Sequence, residues 1–102
     1  MKKRLVVFSA DAMVNEDLEY LMTCPNYQKY MKNASRIKHV RSIYPSVTYP
    51  AHVSMASGCY PNRHGVVSNL FFSTNCEDDI WKWDASSIKV EDIFTAAKKN
   101  GY

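Results

Sequence analysis

Thr48 stands between two prolines, in Tyr44-Pro45-Ser46-Val47-Thr48-Tyr49-Pro50, ahead of Ala51-His52-Val53-Ser54-Met55-Ala56-Ser57-Gly58. A residue before proline is pushed out of the helical region, so the chain is expected to stay extended to Tyr49 and turn helical at Pro50, with Gly58 as the stop. That places the Thr48 hydroxyl at a helix mouth, where free N–H groups and the positive dipole end favour an anion such as phosphate. A hydroxyl attacks phosphorus only when activated, by a general base or by a coordinated metal. The same hydroxyl also fits a plain N-cap, which needs only to accept from a helix amide.

Upstream, Asp11 follows the apolar run Leu5-Val6-Val7-Phe8-Ser9-Ala10. Ligands collect at the carboxyl ends of strands in open parallel sheets, which makes Asp11 a candidate ligand-binder; as a lone Asp after a strand it equally suits a turn. Downstream, Gly58-Cys59-Tyr60-Pro61 leads through His64-Gly65 to Asn69. One coordinating His needs partners that the sequence does not place nearby, so His52 and His64 read as structural, and His39 lies on a strand pattern.

Taken together, Thr48-Tyr49-Pro50-Ala51-His52, Gly58-Cys59-Tyr60-Pro61, His64-Gly65, Asn69 and the upstream Asp11 resemble the signature of the type I phosphodiesterase/nucleotide pyrophosphatase family, within the alkaline phosphatase superfamily. The family motif reads Thr-Phe-Pro-Asn-His, then Gly-x-Tyr-Pro, then His-Gly and Asn; Tyr49 and Ala51 depart from it and leave the nucleophile position intact. The resemblance implies that Thr48 is a nucleophile held by a divalent metal that Asp11 also binds. It would attack phosphorus to give a phospho-threonine, with a second metal activating water; both ions are expected to be zinc, held mostly by residues that this chain does not contain. Asn69 matches the amide that donates to a phosphate oxygen, and Tyr49 the aromatic that stacks on a nucleotide base. The implied activity is metal-dependent hydrolysis of phosphodiester or nucleotide pyrophosphate bonds. The family domain is several times longer, so residues 1–102 read as the N-terminal portion of one catalytic domain, silent by itself. The alternative is a non-catalytic fragment or interaction module that keeps the motif without the downstream ligands, and behind it a sulfatase or phosphonate hydrolase of the same superfamily. Cys59-Tyr60-Pro61-Asn62-Arg63 also fits the C-x-P-x-R core of sulfatases, which share the superfamily, but the expected Thr-Gly does not follow.

The elements that must position these groups follow from pattern. Leu5 to Ser9 has the composition of a strand buried on both faces of a parallel sheet, and Arg36 to Tyr44 alternates like a second strand leading into Thr48. Asn15 to Met22 and Pro25 to Asn33 have helical spacing, with Tyr27, Tyr30 and Met31 expected on one packed side. Leu70-Phe71-Phe72 and Trp81-Lys82-Trp83 suit short extended segments, the tryptophans as buried anchors, and Ser86 or Ser87 suits a turn cap. Val90, Ile93, Phe94 and Ala97 mark a helix closed by Lys98-Lys99-Asn100-Gly101. The expected class is α/β, alkaline phosphatase-like, with a mostly parallel sheet flanked by helices. Truncation of that sheet would leave an edge open to self-association.

Composition bounds the rest. The chain of 102 residues, 46% hydrophobic, holds one modest core. A net charge of +3 from 13 basic and 10 acidic residues, well mixed, marks neither a nucleic-acid polymer nor a membrane as partner; the partner implied is a phosphodiester or nucleotide substrate. Three widely spaced cysteines, Cys24, Cys59 and Cys76, form no C-x-x-C pair and read as reduced thiols. Asp11 ends the apolar run after Met1-Lys2-Lys3-Arg4 too early for a secretory leader, which points to the cytoplasm.

Overall fold

The apolar run expected as a buried first strand is open to solvent. In the computed structural model, which describes residues 4–71, 74, 80–81 and 84–102, Leu5, Val6, Val7 and Phe8 are 79%, 73%, 68% and 93% exposed and form no regular element. Arg36 to Tyr44, expected as a second strand, is equally irregular, and Ile37 and Val40 are exposed. A strand exists only through a neighbour that completes its hydrogen-bond ladder, and no strand pairs with these segments among the described residues. Among the described residues the sheet consists of β1 (Leu70–Phe71) and β2 (Ile80–Trp81), antiparallel, with Leu70 opposite Trp81 and Phe71 opposite Ile80. The mostly parallel sheet expected from the sequence is therefore absent among them, and helices dominate.

The chain divides into two compact units, Leu5–Val40 and one built chiefly of Arg41–Tyr102. In the first, α1 (Asn15–Leu21) is capped at Val14, not at Asn15; Asp17 accepts the Val14 N–H at 2.9 Å, the carboxylate half of a capping box. Helix α2 (Pro25–Met31) starts with proline, whose missing N–H costs nothing there. Tyr27 and Met31 are half-buried while Tyr30 is exposed, so the expected aromatic stripe is split.

In the second unit, α3 (Thr48–Ser57) packs against α4 (Pro61–His64) and α5 (Ile93–Lys99). Among the described residues, Pro50, His64 and Val66 are its buried side chains. Helix α3 begins two residues earlier than expected, at Thr48, with Pro50 third in the first turn. An N–H at that position has no intrahelical acceptor, so proline is tolerated, and the Ala51 N–H makes the first α-helical bond, to Val47 O at 3.0 Å. Gly58 stops the helix as expected, at φ 65°, and Gly65 closes α4 at φ 82°.

Beyond β2, Asp84 caps the 3-10 turn Ala85–Ser87 by accepting the Ser86 N–H at 2.7 Å, a role the sequence suggested for Ser86 or Ser87. Asp92 caps α5, accepting from the Phe94 and Thr95 amides at 2.8 and 2.9 Å. Cys24 and Cys59 are free thiols, half-buried; Phe72, Cys76, Lys82 and Trp83 lie outside the described residues. No helix among the described residues is long and apolar enough to cross a membrane.

The two left-handed glycines give a graded test. A Cβ on Gly58 would meet nothing within 4 Å, whereas one on Gly65 would lie 2.9 Å from Lys89 Cδ. Gly58→Ala should cost about 1 kcal/mol from backbone strain alone, and Gly65→Ala more than that because the Lys89 stem must also move. Chemical unfolding of the two variants measures the order; equal losses would contradict the Lys89 contact.

Candidate active site at the start of α3

The start of α3 leaves donors unpaired, and the sequence supplies one acceptor from far along the chain. Val47 is the N-cap and brings no side-chain oxygen, Thr48 is the first helical residue, and Pro50 has no N–H. The Tyr49 N–H donates to Asn69 Oδ1 at 2.8 Å. Asn69, 20 residues later, therefore does what a local Ser or Asp usually does at this position. Its carboxamide orientation follows: Oδ1 faces the amide donor, so Nδ2 is the arm left over. The Thr48 hydroxyl, half-buried, makes no hydrogen bond to any described residue, so the plain N-cap role is set aside.

Two histidines brace this helix. His52 Nδ1 lies 2.8 Å from the Thr48 carbonyl oxygen, which can only accept, so Nδ1 carries the proton. His64 is fully buried; its Nδ1 accepts the Val66 N–H at 3.1 Å, which leaves the proton on Nε2 to donate to Ser54 Oγ at 2.9 Å. Burial holds the His64 pKa below its usual value, so the ring is neutral. Because its Nε2 donates, His64 cannot serve as a base for Ser54. Both rings do the structural work expected of them.

Tyr49 meets Trp81 edge to face, ring centroids 5.8 Å apart at 66°. This contact was invisible in the sequence, where Trp81 read as a buried anchor; it is 54% exposed instead. Asn69 immediately precedes β1, and β1 pairs Leu70 with Trp81, so one hairpin delivers both the amide and the indole to the start of α3. Tyr49 also lines an open-mouthed cavity of about 320 Å3 with His52, Val53, Val66, Asp84 and Ile88. Ser86 hydrogen bonds, from its side chain and then its backbone, lower the Asp84 pKa, so its carboxylate is ionised.

Asp11 belongs to the other unit, where its Oδ1 accepts the N–H of Ala12 at 3.0 Å in a turn that puts Ala12 at φ 56°. Thr48, Tyr49 and Asn69 are thus brought together by their own unit. Among the described residues no group of three His, Cys, Asp or Glu side chains is arranged to hold a metal ion. Asp11 and Thr48 offer oxygen donors of the kind divalent cations accept, but they would be a minority share of a ligand set. Cys59, the sulfatase-like cysteine, lies past the far end of α3, whose ten residues span about 15 Å from Thr48.

A family model described as type I phosphodiesterase / nucleotide pyrophosphatase matches residues 5–102. The chain is similar to venom phosphodiesterase 2 of Crotalus adamanteus, 34% identical over 74 residues, which are 70% of this chain and 9% of that protein. It is similar to ectonucleotide pyrophosphatase/phosphodiesterase family member 3 of Mus musculus, 31% identical over 72 residues, 70% of this chain and 8% of that protein. With bis(5'-adenosyl)-triphosphatase enpp4 of Mus musculus it shares 28% identity over 88 residues, 78% of this chain and 18% of the relative. The chain thus spans less than a fifth of the length of these relatives. No solved structure matches it.

Two stability measurements test the bracing. Asn69→Ala should destabilise the chain by about 1 kcal/mol through loss of the acceptor for the Tyr49 N–H, while Asn69→Asp, which keeps an acceptor and adds charge at a positive helix end, should not. His64 has a folded pKa below its unfolded one, so its contribution is complete above about pH 6.5 and is lost as pH falls through the folded value. Thermal melts should therefore show an acid-side decline that is missing in His64→Asn.

Proposed function

Because the chain belongs to the type I phosphodiesterase/nucleotide pyrophosphatase family, we propose that it supplies the nucleophile and phosphate-orienting part of a metal-dependent phosphodiesterase or nucleotide pyrophosphatase site, as part of a longer catalytic chain. The observation that carries this reading is the Tyr49 N–H···Asn69 Oδ1 bond beside a Thr48 hydroxyl that bonds to no described residue. Thr48 Oγ1, its proton lost to solvent, forms the new bond to phosphorus as the ester or pyrophosphate oxygen leaves and takes up a proton from water. A second water cleaves the phospho-threonine, restoring the hydroxyl and releasing the phosphate product. Asn69 Nδ2 donates to a phosphate oxygen where charge develops. Tyr49 receives the nucleotide base. Asp11 and Thr48 are this chain's share of the ligands for two divalent ions, zinc being the first choice. Such ions, when bound, supply the positive charge that lowers the pKa of the hydroxyl and neutralises the departing oxygen.

For the whole domain we propose an alkaline phosphatase-like fold, in which Leu5 to Ser9 becomes an interior strand; its high exposure and its continuous apolar sequence support this. The second reading, a module without catalysis, is favoured because no group of three His, Cys, Asp or Glu side chains able to hold a metal is found among the described residues. A catalytic zinc generally takes three protein ligands, so the 102-residue chain with added zinc should not hydrolyse bis(p-nitrophenyl) phosphate.

In an active form that includes the remaining ligands, Thr48→Ala should lower kcat more than tenfold, and retention of more than about a tenth of the activity would refute the nucleophile assignment. Asn69→Asp, which preserves stability, should still lose activity because its donor arm is replaced by a charge that repels phosphate. Asp11→Asn should reduce bound metal, measured by elemental analysis; unchanged content would remove Asp11 from the ligand set.

A further inference from the structure

The segment that returns from α4 is tied to α3 at two points. One tie is the Tyr49 N–H to Asn69 Oδ1; the other is the His64 ring, which holds Ser54 of α3 with Nε2 and the Val66 N–H with Nδ1. From Tyr49 to Ser54 the helix rises about 7.5 Å. From Val66 to Asn69 the chain covers at most about 10 Å when extended. The return segment therefore has little slack. Val66, itself buried, is the anchor from which Asn69 must reach the helix start.

We propose that His64 is a positioning residue for Asn69: by accepting the Val66 N–H at Nδ1 while donating to Ser54 at Nε2, it sets the point from which Asn69 reaches the Tyr49 amide. The consequence for phosphate binding rests on the role of Asn69 given above; the positioning itself does not. A second proton on Nδ1 removes the acceptor for Val66 and releases the anchor. The titratable and charged groups on the elements around the ring are Tyr49 and His52 of α3, Tyr60 and Arg63 of α4 itself, Lys89, whose N–H donates to His64 O at 3.0 Å and whose stem lies against Gly65, and Asp84, which lines the cavity with Val66. Asp84 is the anion among them, and its Oδ1 is taken by the Ser86 N–H at 2.7 Å.

The two amide analogues of histidine separate the ring's two bonds. In His64→Asn the side-chain oxygen falls near the Nδ1 position and can still hold Val66; in His64→Gln the nitrogen falls near Nε2 and holds only Ser54. Hydrogen exchange of the Tyr49 amide in the 102-residue chain reads the outcome. We expect protection close to that of the unsubstituted chain in His64→Asn and a loss of about tenfold or more in His64→Gln. In the unsubstituted chain, Tyr49 protection should fall with the same midpoint as the His64 Hε1 resonance, below the usual 6.5, while α5 amides hold. Equal losses in both variants, or Tyr49 exchange indifferent to the His64→Gln change, would overturn the proposal. If His64→Gln does not fold, the pH titration decides: a Tyr49 midpoint distinct from that of His64 overturns it. Failure of the Thr48→Ala test would leave these exchange results standing, so the two readings fail separately.

Discussion

One hydrogen bond organises the candidate site: the Tyr49 N–H to Asn69 Oδ1, 2.8 Å. Helix α3 starts without a capping side chain of its own, and Pro50 removes one of the donors that would otherwise need an acceptor. A single carboxamide from the return segment satisfies the Tyr49 donor that remains, and in doing so it is fixed in orientation beside Thr48. The same amide that completes the helix thus has its donor arm available to an anion at the helix's positive end. Structure and proposed chemistry meet in one side chain, and that explains why an aspartate there could keep the first and lose the second.

Around that bond the unit is braced by few but specific contacts. Among the described residues the buried side chains are Pro50, His64 and Val66, and two of these three take part in the His64 tie. Gly58 and Gly65, both left-handed, bring the chain back so that the return segment can run beside α3. In the other unit, Leu5 to Phe8 presents a continuous apolar surface of a kind that a self-contained soluble domain rarely leaves uncovered. Self-association was expected from the open edge of a truncated sheet; no such edge forms among the described residues, and what the unit exposes there is an irregular apolar run.

Local signals were legible in the sequence. Gly58 as a helix stop, the spans of α1, α2 and α5 to within a few residues, and the basic close of α5 all depend on neighbours a few positions away. The family itself was readable from ordered motifs across residues 5–102. What depended on distant partners was not. The strands at Leu5 to Ser9 and Arg36 to Tyr44 needed neighbours that the described residues do not provide. The early start of α3 depended on an acceptor 20 residues away, and the Tyr49–Trp81 contact on a hairpin register. His64 was read as structural, and only its two hydrogen bonds, from the Val66 N–H at Nδ1 and to Ser54 at Nε2, show which nitrogen carries the proton.

The account is tested most directly by a structure of an active form with orthovanadate bound as a mimic of the phosphoryl group in transfer. It predicts vanadium at Thr48 Oγ1, with Asn69 Nδ2 about 3 Å from a vanadate oxygen while Oδ1 stays on the Tyr49 amide. Vanadate held by another side chain, or a carboxamide that abandons the Tyr49 amide to reach it, would contradict the account.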